Sequence, residues 1–483
     1  MNSSANVIGE GVYGCVHKPS LKCEETELNG KVIDYSNRVS KILDKEDAIK
    51  EMSEYVLIKN IDKNNEYYLG EPINCAVKED NYNIQSIRKC KNLNIIEDEL
   101  SSDYSLMIMK DGGINLQEYY KIVKKLSKTP ENQEKMEKFW IEAHRMIKGI
   151  KAFLDNGFIH HDMKPQNIVY NEKKNRLNFI DFGMVQNKQN IIKQANKSEY
   201  WLAIHHWSYP PETKYLNKKN YDEISQFTNT RRMKMTLDLF KEINIKRNPL
   251  VLAKTNTRNP FALAIRNVAY FIQLRIDDYL GGLIKLIEDQ FIKNDYSHFV
   301  NKCIDTIDIY GLGFSFMGLL YKSQHLIEEP LMSDLEYIFF EMVTPNYNER
   351  IDIDSLLDEY EDILEKHGLL VKYGYKFINH NLQKIDNSQN KLSRDILEEI
   401  NLIVESPLVK SAKIDKMIST ELTPCPDGEI MNSNRICVKD QIKNVKQSKS
   451  KSKSKSKSKS KSKSKSKSKR VALKRTLKFG IFE

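Results

Sequence analysis

The stretch His160-His161-Asp162-Met163-Lys164-Pro165-Gln166-Asn167 sets two histidines, a carboxylate, a lysine and an amide side by side between apolar elements. It constrains the fold more than any other feature of the chain. A helical pattern from Lys135 to Asn156 precedes it, stopping at Asn156-Gly157 before the apolar pair Phe158-Ile159. Strand-like runs Ile168-Val169-Tyr170 and Leu177-Asn178-Phe179-Ile180 follow it, joined by a turn rich in Lys and Asn. Polar groups wedged between such elements cannot be left unpaired in a core. The chain must therefore bring helix and strand ends together around a site that holds them.

The remaining pattern is strands first and helices later. Asn6-Val7-Ile8, Cys15-Val16-His17 and Arg38 to Leu43 read as strands, and Asp47 to Ile61 reads as a helix with Met52, Tyr55 and Ile58 on one face. Leu106-Met107-Ile108-Met109 is a further strand ending in the linker Asp111-Gly112-Gly113, and helical patterning dominates from Leu116 to about Lys366. This order predicts an α+β chain with a small β-rich N-lobe over residues 1–113 and a larger helical C-lobe over 114–366. Residues 213–300 form a helical insert in the second lobe, best patterned at Met233 to Ile243 and Ala262 to Phe291, and 367–445 is an extension of unknown role.

The chain's 483 residues and formal charge of +10 divide unevenly. Ser448 to Glu483 carries fifteen Lys/Arg and one Glu, a net of +14, so removing it leaves −4 for residues 1–447. The basicity belongs to a Ser-Lys tail, 446–483, which buries no core and is expected to be disordered. Such a tail attracts nucleic acid or acidic surfaces through counterion release; its plainer reading is a solubilising expansion. Seven scattered cysteines (15, 23, 75, 90, 303, 425, 437) suit a reducing compartment better than a disulfide framework. Cys425 and Cys437 read as reduced thiols in a short hairpin, with no second CxxC to suggest zinc. No leader-like apolar segment stands at the N-terminus, and Ile309 to Tyr321 is too short to span a bilayer. The expectation is a soluble intracellular protein without a transmembrane segment, its oligomeric state open.

Four segments carry chemistry. Gly9-Glu10-Gly11-Val12-Tyr13-Gly14-Cys15-Val16 follows G-x-G-x-x-G-x-V, in which glycines let a hairpin lie against phosphates. The same glycines open dinucleotide-binding domains, but there a helix follows, whereas Val16-His17 continues as strand and Pro19 opposes a helix. Lys41 stands in an apolar strand, suited to gripping α- and β-phosphates if a helix carboxylate neutralises it. Glu54 is the expected partner and Glu51, one turn earlier, the reserve. In the octet, Asp162 is placed to accept a hydroxyl proton, Lys164 to neutralise a γ-phosphate and Asn167 to hold Mg²⁺. Asp181, opening Asp181-Phe182-Gly183 at a strand end, is suited to chelating the same metal.

In this order the four segments resemble the protein-kinase family, and Lys164 resembles its serine/threonine branch. Pro210-Pro211-Glu212 looks like the family's A-P-E, Asp308 to Gly313 like its D-x-W-x-x-G, and Arg350 stands where a late arginine pairs with the glutamate, here Glu212. The resemblance spans roughly 6–212 and 301–366 and implies a two-lobed kinase-like fold using ATP and Mg²⁺ on Ser/Thr acceptors of protein substrates. It implies that Ile8, Gly9, Glu10, Gly11, Val12, Tyr13, Gly14, Cys15 and Val16 cover the nucleotide. Val16, Val39 and Val169 would sandwich the adenine, and His160 would stack with Phe182. Five departures stand out: His161 replaces an arginine that commonly grips an activation-loop phosphate, Val39 replaces an alanine, Arg38 is atypical at the first position of the V-A-I-K pattern, Leu21 to Tyr35 is an added excursion, and 213–300 replaces a short loop. A pseudokinase scaffold is the alternative reading; the presence of Lys41, Asp162, Asn167 and Asp181 together weighs against it. The tail, the Cys425–Cys437 motif and the abundance of Asn, Ile and Lys also resemble proteins of large amoeba-infecting, mimivirus-like DNA viruses.

Overall fold

The computed structural model describes residues 4–10, 14–28, 30–91, 100–204, 206, 208–244, 275–291, 295–385, 429–431 and 437–439. The chain divides into a unit over Met1–Asp386 and a second over Asn387–Glu483.

The first unit opens with a five-stranded antiparallel sheet in the order β1-β2-β5-β7-β6, built from β1 (Asn6–Glu10), β2 (Cys15–Lys18), β5 (Arg38–Asp44), β6 (Ile73–Ala76) and β7 (Tyr104–Lys110). Helix α1 (Lys45–Ile61) begins where β5 ends, with Glu46 and Asp47 favourably placed in its first turn. It buries Ala48, Glu51, Tyr55 and Ile58, one stripe at three- and four-residue spacing. The excursion after β2 forms the ribbon β3–β4 (Glu27–Leu28 and Lys31–Val32), and Leu21, Cys23 and Ile33 join a small separate core with strand residues such as Ile42 and Ile108. Helix α2 (Asn81–Ile87) leads to Cys90, and a short helix α3 (Leu100–Asp103) precedes β7.

Two disulfides cross this lobe, Cys15–Cys90 and Cys23–Cys75. They correct the expectation that the scattered cysteines form no disulfide framework, for the four in this lobe. The partners lie 75 and 52 residues apart and meet only once the sheet and α2 are assembled. Cys303 is a free, buried cysteine. Strand β16 (Cys437–Lys439) pairs with β15 (Glu429–Met431) in the second unit, while Cys425 and the tail 446–483 lie outside the described residues.

After the Asp111–Gly113 linker, β8 (Ile114–Asn115) leads into α4 (Leu116–Val123), capped by the Asn115 side chain. Gly113 has φ +95°, and a Cβ there would run into the Tyr170 carbonyl oxygen, so only glycine fits. Helix α5 (Pro130–Asp155) starts with Thr129 as cap and Pro130 in its first turn, and its buried face carries Phe139, Trp140 and Ile147. Strands β9 (Phe158–Ile159), β10 (Ile168–Asn171), β11 (Arg176–Phe179) and β12 (Gln186–Asn187) flank the polar octet, and α6 (Lys188–Asn196) follows. The insert is helical where described: α7 (Lys218–Ser225), α8 (Asn229–Asn244) and α9 (Ile276–Lys285). Of the second well-patterned stretch, which starts at Ala262, residues 262–274 lie outside the described residues.

Helix α10 (Tyr296–Ser323) is the centre of the lobe, packed against α11 (Glu329–Val343), α4 and α5, while α12 (Ile353–Lys366) lies on α5 and α11. The span Tyr296–Leu326 is long and apolar enough to cross a membrane, but 94% of its apolar window is buried inside the fold. Helix α13 (Leu369–Tyr373) and the hairpin β13–β14 (Tyr375–Ile378 with Asn381–Lys384) continue the first unit past residue 367. The His144 ring lies 4.4 Å from that of Phe377, which seats the hairpin on α5.

Candidate active site

The octet is fixed from behind by α10. The backbone N–H groups of His160 and His161 donate to the two carboxylate oxygens of Asp308, at 2.6 and 2.8 Å. Asp308 is fully buried, and burial pushes its carboxyl up while these donors pull it back. His161 takes φ +63°, a left-handed turn between the anchored amides and Asp162. Asp162 then receives Lys164 Nζ at 2.9 and 2.6 Å on its two oxygens, and Asn167 Nδ2 at 2.8 Å on Oδ2. Asn167 also donates to the Asp162 carbonyl at 2.9 Å. With its Nδ2 committed, Asn167 keeps Oδ1 as the atom for a cation.

Asp181 follows β11 and shares this side. The Ile180 N–H donates to the Asn167 carbonyl at 3.0 Å, tying the two segments together, and Asp181 itself has φ +63° and an exposed side chain. Phe182 turns inward, with its ring 5.3 Å from that of His160 and 5.4 Å from that of Tyr55 on α1. The His160 and Phe182 rings thus meet as tilted neighbours, at 52°, in place of the expected stack, and the contact continues edge-on to Tyr55.

On the opposite side, Lys41 Nζ lies 2.5 Å from Glu51 Oε2. This corrects the choice of Glu54. Glu51 shares the buried stripe with Ala48 and Tyr55, which places its turn of α1 over β5, whereas Glu54 lies off that stripe. Burial alone would depress the Lys41 ammonium, but Glu51, Asp181 and Glu54 together hold it above its usual value. Burial pushes the Glu54 carboxyl up to about 7, with Glu51 and Asp181 adding to the shift, and its Oε2 is buried without a hydrogen-bond partner. Gly14 fits closely against this lysine: a Cβ there would meet Lys41 Cε at 2.8 Å and the Ile42 carbonyl at 3.0 Å.

The hairpin above pairs Glu10 with Cys15 and Gly9 with Val16, and Ile8 lies exposed in β1. Gly11, Val12 and Tyr13 lie outside the described residues. Val39 and Val169 are buried, on β5 and β10. Glu212 Oε1 and Arg350 Nη1 are 2.6 Å apart with both side chains fully buried, and Thr306 of α10 accepts from the same Nη1 at 3.0 Å.

Two contributors escape the sequence reading. Asp308 is marked there only within its motif, and its grip on two backbone amides depends on α10 reaching the octet. Tyr209 is not singled out at all. Its hydroxyl lies 3.1 Å from His161 Nδ1, in the place where the family resemblance leads one to look for an arginine and a phosphate. Burial drives the His161 imidazole down to about 4, so this contact is between neutral groups at ordinary pH.

Residues 97–208 match the ABC1 atypical kinase-like domain. The matched stretch runs from the approach to β7 through the octet and Asp181 to Ser208; the glycine hairpin and Lys41 lie before it. No curated protein sequence matches the chain significantly. The similarity supports a kinase-like domain with a β-sheet N-terminal region and a largely helical remainder.

Proposed function

We propose that this chain is an ATP-dependent protein kinase that transfers the γ-phosphate of Mg-ATP to Ser or Thr hydroxyls of protein substrates. The observation that carries the reading is the cluster of Asp162, Lys164 and Asn167, facing Asp181 and the Lys41–Glu51 pair. Asn167 Oδ1 and the Asp181 carboxylate are hard oxygen donors of the kind Mg²⁺ prefers, and they would hold it. The bound ion supplies charge neutralisation on the transferring phosphate.

The chain's own groups do the rest. Lys41, kept charged by Glu51, grips the α- and β-phosphates beneath the glycine hairpin. Asp162, its orientation set by Asn167, accepts the proton of the attacking hydroxyl as the new P–O bond forms and ADP leaves. Lys164 bridges Asp162 in the free protein and is placed to turn its ammonium onto the γ-phosphate. The Ser-Lys tail adds non-specific attraction to phosphate-rich or acidic surfaces.

A pseudokinase scaffold is the competing reading, and complete retention of Lys41, Asp162, Asn167 and Asp181 favours catalysis over it. Transfer of labelled phosphate to generic acceptors is expected for the wild type and lost in Asp162→Asn. Equal incorporation by the two proteins refutes the assignment.

A further inference from the structure

We infer that Cys15–Cys90 is a redox-controlled clasp on the glycine hairpin, a thiol–disulfide couple that sets nucleotide affinity; the inference rests on the kinase reading and adds regulation to the same site. Cys15 directly follows Gly14 and sits on β2, opposite Glu10 of β1 and Ile42 of β5. Its partner Cys90 follows α2, and the turn around it touches the hairpin at several further points. Ser86 Oγ accepts from the Ala5 N–H at 2.8 Å, Lys89 Nζ donates to the Ala5 carbonyl at 2.7 Å, and the Lys91 N–H donates to Glu10 Oε1 at 2.7 Å. The hairpin forms one edge of the sheet, so beyond its pairing with β5 it depends on this turn. The polar links are weak singly and lie partly in solvent; among the described residues the disulfide is the one covalent tie between this turn and the hairpin.

The two disulfides differ in access. Cys23 and Cys75 are both buried, as is Cys15, whereas Cys90 is partly exposed. An incoming thiolate therefore reaches Cys90 Sγ first, forming a mixed disulfide there and expelling the Cys15 thiolate. A second thiol of the same reductant then frees Cys90. The balance is one dithiol oxidised to its disulfide and one protein disulfide reduced to two thiols, two electrons in all. His17 Nε2 lies 3.5 Å from Cys90 Sγ and 3.9 Å from Cys15 Sγ. The Ser86 carbonyl, 3.3 Å from the same nitrogen, selects the tautomer that carries a proton there. That N–H is placed to stabilise the leaving thiolate. Cys23–Cys75 has no such access and serves as a fixed staple.

The test uses the full chain with a fluorescent ATP analogue and Mg²⁺, titrated before and after graded dithiothreitol, with thiols counted by alkylation and mass. Two thiols, at 15 and 90, are expected to appear first, and the analogue Kd to rise about tenfold as the competent hairpin population falls. Cys90→Ser should bind like the reduced protein with or without reductant, while the double variant Cys23→Ser/Cys75→Ser should keep the redox shift. An unchanged Kd on opening Cys15–Cys90, or earlier opening of Cys23–Cys75, overturns the clasp while leaving the kinase reading intact. Absence of binding in both states refutes the kinase reading instead. The clasp is then judged by hydrogen exchange of residues 6–18, and unchanged exchange on reduction overturns it.

Discussion

Lys41 has two acidic neighbours on α1, and their unequal roles make a quantitative test. At 2.5 Å the Lys41–Glu51 attraction is about 7 kcal/mol for an effective dielectric of 20, most of it offset by desolvation of both ions. Removing one partner of a buried pair costs about 3–5 kcal/mol because the other charge is stranded. Glu51→Gln keeps the shape and an acceptor oxygen, so about 2–3 kcal/mol is expected, a loss of roughly 30- to 150-fold in kcat/KM for ATP. Glu54→Gln should leave turnover at pH 8 within about threefold, since Glu54 makes no hydrogen bond to Lys41. Its signature lies in stability. The Glu54 carboxyl titrates at about 7 in the folded chain against a reference of 4.5. The folded state thus holds a proton that the unfolded state releases between those values, and wild-type stability falls as pH rises through that window. Glu54→Gln should flatten this slope by about 1 kcal/mol, allowing for solvent screening of a partly exposed group. Steady-state phosphotransfer and urea unfolding from pH 4.5 to 8 measure both effects. A larger activity loss in Glu54→Gln than in Glu51→Gln refutes the assignment of the pair.

Tyr209→Phe should lower kcat several-fold with KM for ATP unchanged, since the ring packing stays and about 1 kcal/mol of hydrogen bonding to His161 is lost. Phosphatase treatment of the wild type should leave its rate unaltered, because that contact holds no charge for a phosphate to supply. Arg350→Leu strands the Glu212 carboxylate in a fully buried site and should destabilise the fold by about 3–5 kcal/mol in urea unfolding. A loss below about 1 kcal/mol would mean that this pair is not what anchors the Glu212 segment.

The octet and Asp181 were legible in the sequence because their geometry is local: a few residues and one tight hairpin set the distances among Asp162, Asn167 and Asp181. Glu51 was not, because choosing between carboxylates one helical turn apart needs the height of α1 over β5. The sign was available in Ala48, a small residue that completes the Ala48-Glu51-Tyr55-Ile58 stripe but carries too little apolar surface to stand out. The disulfides were illegible for a stronger reason. Their partners are joined by sheet pairing and by α2, neither of which leaves a mark in cysteine spacing. Tyr209 lay beside a recognisable motif, but its partner His161 reaches it only through a left-handed backbone turn.

Helix α10 meets the octet through Asp308 and the Glu212–Arg350 pair through Thr306, two residues apart on one rigid rod. The insert leaves the chain just after Glu212 and returns at Tyr296, where that rod begins. Both of its attachment points are therefore nailed to the same beam. A push or pull on either end of the insert therefore bears on the same helix that fixes the octet through Asp308.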